Sequence, residues 1–77
     1  MSVKEKLVVI INEVLKGKGG QPLLDIDPTT ILRDELNFDS FDLAELTVRV
    51  EDEFGKDIFA KGLVNTFGEI LEIVSYE

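Results

Sequence analysis

Leu36-Asn37-Phe38-Asp39-Ser40-Phe41-Asp42 is the stretch on which the reading of this chain turns. Aspartate is a favoured residue just before a helix, because its carboxylate accepts a hydrogen bond from a backbone N–H two or three residues on. Asp42, three residues after Asp39, supplies a weaker form of the reciprocal capping partner. The stretch therefore predicts a helix that begins at Ser40. Leu43, Leu46, Val50 and Phe54 recur at helical spacing and carry an inward stripe to about Phe54, where Gly55 ends the helix.

Ser40 falls in the first turn of that helix. The chain contains no histidine and no cysteine, and no basic side chain lies close by in sequence to activate the hydroxyl. A serine nucleophile needs such a base, so a catalytic role is excluded. Two readings remain: Ser40 only caps the helix, or it is a place where another enzyme attaches a group. A phosphate ester on its Oγ would meet backbone N–H groups without intrahelical partners and the positive end of the helix dipole. Asp39 and Asp42 oppose this by repulsion. The local field leaves both readings open.

Working outward, Val3, Leu7, Ile10, Ile11 and Val14 share one face and predict a helix over residues 3–16, with Ser2 as its N-cap. Gly17 is the expected left-handed residue past its end, and Lys16 complements the negative helix terminus. A long connection follows to Asp39. It contains Pro22 and Pro28, yet Leu23, Leu24, Ile26, Ile31, Leu32, Leu36 and Phe38 stud it, so it is expected to pack over the helices, with a helical turn near residues 30–34. Thr66-Phe67-Gly68-Glu69 is a capping box opening a last helix on Phe67, Ile70, Leu71, Ile73 and Val74. Ile58 to Val64 is too short for a full helix and supplies one short turn. Strict alternation is absent, which argues against strands. The expected fold is all-α: a small bundle of three longer helices plus a short third helix or turn, with a long first loop.

Seventy-seven residues, 44% of them apolar, suit one domain spanning 1–77 with a compact core. No apolar run reaches membrane-span length, and the charged start after Met1 lacks the features of a secretory signal. Without cysteine there is no disulfide and no thiolate metal site, and a cytoplasmic location is the default expectation. Sixteen acids against eight bases give a net charge of −8. That balance disfavours nucleic acid and anionic membranes and steers the chain toward basic partners, or else serves solubility alone. Asp25 and Asp27 open like a calcium loop, but Thr30 stands where that loop needs glycine and Leu36 where it needs a bidentate glutamate. Gly17-Lys18-Gly19-Gly20 ends a helix and follows no strand, so it is not a phosphate loop.

Taken together, Thr30, Leu32, Leu36, Phe38, Asp39-Ser40-Phe41, Glu45-Leu46 and Glu51-Asp52-Glu53-Phe54 resemble the acyl carrier protein family. That family carries Thr-x-Leu before its site, a Leu-Gly-x-Asp-Ser-Leu motif and an acidic helix ending in Glu-Glu-x-Phe. The resemblance runs over nearly the whole chain. It implies that Ser40, flanked by Asp39 and Phe41, bears 4′-phosphopantetheine. A phosphopantetheinyl transferase would install it from coenzyme A, and its thiol would hold acyl groups as thioesters. The protein would then be a monomeric carrier and not an enzyme. Asn37 replaces the motif glycine and tolerates positive φ; Phe41 replaces the usual leucine; Phe59 stands where proline is frequent. These departures hint at a specialised lipid or secondary-metabolite pathway. The alternatives are an aminoacyl carrier of the D-alanyl or peptidyl kind, and a noncovalent acidic adaptor.

Phe41, Ala44 and Val48 share a face distinct from the inward stripe, bordered by Asp42, Glu45, Glu51, Asp52 and Glu53. From Asp39 to Asp57 there are seven acids against Arg49 and Lys56. An apolar strip rimmed by acids suits brief docking to basic surfaces of acyl-activating, synthase or acyltransferase enzymes, the role the resemblance assigns to this helix. The competing reading is an ordinary solvated face, with Phe41 covered by the preceding loop.

Overall fold

The computed structural model describes residues 2–60, 62 and 64–75. Four helices follow one another: α1 (Val3–Gly17), α2 (Leu32–Glu35), α3 (Ser40–Phe54) and α4 (Phe67–Ser75). Among the described residues there is no strand, only an isolated antiparallel bridge between Ile31 and Thr66. The all-α expectation holds, and α3 has the bounds that its cap and stripe predict.

Each long helix starts for a local reason. Ser2 and Glu5 exchange hydrogen bonds of 3.1 Å at the head of α1, satisfying two backbone donors that the helix cannot. The end of α1 differs from expectation. Gly17 remains helical and Lys18 is the C-cap, while Gly19, at φ 80°, takes the left-handed position. From there the Gly19 N–H reaches Lys16 O at 3.1 Å and the Gly20 N–H reaches Leu15 O at 2.7 Å. This pair of bonds closes the last turn on the final carbonyls. Running on past Gly17 also brings the Lys18 side chain to the segment before α3.

The core is built where these faces meet. Leu7, Ile11 and Val14 of α1, Leu43, Leu46 and Val50 of α3, and Phe67, Ile70 and Val74 of α4 are buried together. Phe54, the last residue of the predicted stripe, is half-buried. The long connection closes over them, as its apolar residues predict: Ile26, Leu32, Leu36 and Phe38 all join the core. Leu24 and Ile31 are the exceptions. The Asn12 side chain grips Leu23 through both its N–H and its C=O, each at 2.8 Å. The chain bends at Leu24 and turns that side chain wholly into solvent. Ile31 is also exposed, because its place in the bridge is held by backbone groups.

The same connection docks the start of α4. Thr30 O accepts from the Phe67 N–H at 3.0 Å, and Pro28 O accepts from the Gly68 N–H at 2.9 Å. A Cβ at position 68 would stand 2.8 Å from Pro28 O, so only glycine lets the two segments approach this closely. Thr66 and Glu69 complete the box, with Glu69 N–H donating to Thr66 Oγ1 at 3.2 Å and Thr66 N–H to Glu69 Oε1 at 2.9 Å. Between α3 and α4 a turn covers residues 58–60, with Ile58 and Val64 buried, and the described residues form no helix there. Of the two options for this segment, helix or turn, the described residues adopt the turn; Lys61 and Leu63 lie outside them.

Candidate functional site at the start of α3

The approach to Ser40 is held by burial on both sides of a strained residue. Leu36 and Phe38 are buried, and Asn37 between them sits at φ 59°, the left-handed region that asparagine tolerates better than most side chains. The Phe38 N–H reaches back to Leu32 O at 3.1 Å, which ties this turn to α2. Asp39 then caps α3 as expected. Its Oδ1 accepts from the Asp42 N–H at 2.9 Å, and its own N–H donates to Asp42 Oδ2 at 3.0 Å. Ser40 is the first helical residue and is exposed. The N–H groups of Ser40 and Phe41 have no acceptor among the described residues.

One residue that the sequence did not single out completes the arrangement. Lys18 Nζ donates to Asp42 Oδ2 at 2.6 Å and to the Asn37 carbonyl, and lies 5.7 Å from the centre of the Phe38 ring. These contacts span 19 and 24 residues of sequence, beyond the reach of any local pattern. Burial alone would push the Asp42 carboxyl up. Hydrogen bonds from Lys18 and from the Asp39 N–H, with the nearby ammonium charge, outweigh it and hold the group below the usual aspartate range.

The candidate docking residues therefore divide. Phe41 is 88% and Val48 68% exposed, with Ala44 exposed between them, so the preceding loop does not cover Phe41. Glu51, Asp52 and Glu53 reach solvent beyond the strip. Glu45 is exposed but pairs with Arg49 Nε at 2.9 Å, and Arg49 also contacts Glu13 of α1. Asp42, expected on the docking rim, instead points its carboxylate at Lys18 and the Asp39 N–H. Among the described residues no group of acids is placed to hold a metal, and no helix is long and apolar enough to cross a membrane.

With this geometry in hand, comparison with protein-family models matches residues 5–76 to the phosphopantetheine attachment site family. The chain belongs to that family. Its domains are carriers and not enzymes, and they are attachment sites for the 4′-phosphopantetheine prosthetic group. Comparison with curated proteins and with solved structures returned no match.

Proposed function

We propose that Ser40 is the attachment residue and that the chain, acting as one monomeric carrier domain, ferries acyl groups as thioesters on the arm. The observation that carries this reading is an exposed serine on the first turn of a capped helix, where its own N–H and that of Phe41 meet no acceptor among the described residues. In the loading reaction Ser40 Oγ attacks the phosphorus of coenzyme A that bears the pantetheine arm. A new O–P bond forms, the P–O bond to adenosine 3′,5′-bisphosphate breaks, and the serine proton passes to a base of the transferase. The chain has no histidine or cysteine to take that proton, so its share is presentation: a fixed turn, a capped helix and an exposed serine.

Partner enzymes would read the Phe41, Ala44 and Val48 strip together with Glu45, Glu51 and Asp52, a combination that favours quick, reversible association with basic surfaces. The excess of acids favours an acyl over an aminoacyl cargo, in a specialised lipid or secondary-metabolite pathway of the cytoplasm. Incubation with coenzyme A and a promiscuous transferase, read by intact mass, tests the attachment: wild type gains one phosphopantetheine and Ser40→Ala gains none. An unchanged wild-type mass would favour the noncovalent adaptor. Competition between fatty-acyl and amino-acid activating enzymes for the loaded protein separates the two carrier readings. Reversing Glu45 and Asp52 to lysine should slow partner association, with the deficit shrinking as salt is added.

A further inference from the structure

Two carboxylates flank Ser40 in sequence, yet the group it is to receive is an anionic phosphodiester. Asp39 and Asp42 should repel both the incoming coenzyme A and the attached product. The structure answers half of this problem through Lys18. Its ammonium lies 2.6 Å from Asp42 Oδ2, in a pair whose side chains are only 29% and 13% exposed, so water and salt screen it less than a surface pair. Asp42 also takes the Asp39 N–H, which leaves its charge directed inward. Lys18 reaches the same place through the Asn37 carbonyl and the Phe38 ring, so its position is fixed from three sides.

We propose that Lys18 is a positioning residue for loading, which cancels the charge of Asp42 so that the start of α3 can receive a phosphodiester. This rests on Ser40 being the attachment residue. Lys18 acts through Asp42 and need not touch the prosthetic group. It also explains how the chain keeps an acid at position 42 for helix capping with its charge compensated, which leaves Asp39 as the acid next to Ser40 without an ion pair among the described residues.

The test measures transferase kcat/KM with coenzyme A, by intact mass, for wild type and four variants confirmed as folded by circular dichroism. Lys18→Met should load about tenfold more slowly, the effect of one partly screened charge at short range. Lys4→Met loses the same unit of charge from the Lys4–Asp25 pair and should load at the wild-type rate. Asp42→Asn should load at least as fast as wild type, since the amide oxygen can still accept from the Asp39 N–H. Lys18→Met combined with Asp42→Asn lacks the tie between α1 and α3 but has no unpaired acid, and should recover to within about threefold of wild type. A purely structural tie would leave that double variant as slow as Lys18→Met, and this result would overturn the proposal. Wild-type loading by Lys18→Met, or a tenfold loss in Asp42→Asn alone, would overturn it as well. If wild type itself stays unloaded, or loads elsewhere than Ser40, the attachment reading fails first and is distinguished from failure of the Lys18 inference.

Discussion

α3 and α4 begin with the same device and put it to different uses. Each opens with a reciprocal box, Asp39 with Asp42 and Thr66 with Glu69. At α4 the next two donors, Phe67 and Gly68, are taken by the carbonyls of Thr30 and Pro28. At α3 the equivalent donors, Ser40 and Phe41, meet no acceptor among the described residues, and both side chains face solvent. A capping sequence thus fixes where a helix starts. What packs on that start decides whether its remaining donors are consumed by the fold or left available.

That contrast can be broken or sharpened by experiment. The largest expected effect is Ser40→Ala, which should abolish loading by mass while leaving the thermal unfolding curve nearly unchanged, because Asp39 and not Ser40 holds the cap. Next comes Gly68→Ala. Its Cβ would press on Pro28 O at 2.8 Å, so stability in urea should fall by about 1–3 kcal/mol. The matching position of α3 should tolerate change: Phe41→Ala should alter stability by only about 0.5 kcal/mol, as for an exposed surface site. Equal losses at positions 41 and 68 would contradict the difference between the two helix starts. Smaller still, Asp39→Ala and Thr66→Ala should each cost about 1 kcal/mol, but only the first should slow transferase loading, because loosening the helix start that presents Ser40 outweighs the repulsion removed.

The pH dependence of stability follows from the same caps. Asp42 is held below its usual range by Lys18 and Asp39 against the opposing effect of burial, and Glu69 by the N–H groups of Asn65 and Thr66. Depressed folded values mean that the unfolded chain binds more protons, so these groups stabilise fully above their unfolded values of about 4. The contribution is lost as pH falls through the lower folded values. Urea midpoints should stay level from neutral pH down to about 5 and then drop, and Asp42→Asn should soften the drop.

What the sequence revealed was local in origin. Ser2, Asp39 and Thr66 announced three helix starts because each cap is made within three residues. The positive φ of Asn37 followed from a single side chain's tolerance. The misses at Asp42 and Leu24 come from contacts distant in sequence, whereas the one at the end of α1 is a local choice between neighbouring glycines. Choosing Gly19 over Gly17 depends on which amide reaches back to Lys16 and Leu15. The inward turn of Asp42 depends on Lys18, and the solvent position of Leu24 on the grip of Asn12 at Leu23. Whether Phe41 was covered by the loop stayed open in the sequence for the same reason.

The way α3 disposes of its acids has one more consequence. Near Ser40, Asp42 is matched by Lys18 and Glu45 by Arg49, whereas Glu51, Asp52 and Glu53 have no ion pair among the described residues. Acids at the far end of a helix work against its dipole, so their presence there runs counter to the helix's own stability. At 1.5 Å per residue they stand roughly 17–20 Å along the axis from Ser40. The helix is in effect a ruler: if Ser40 bears the arm, an enzyme that grips the distal end of α3 with cationic side chains must open the channel that admits the arm about that distance away, with its reaction chamber an arm's length further in.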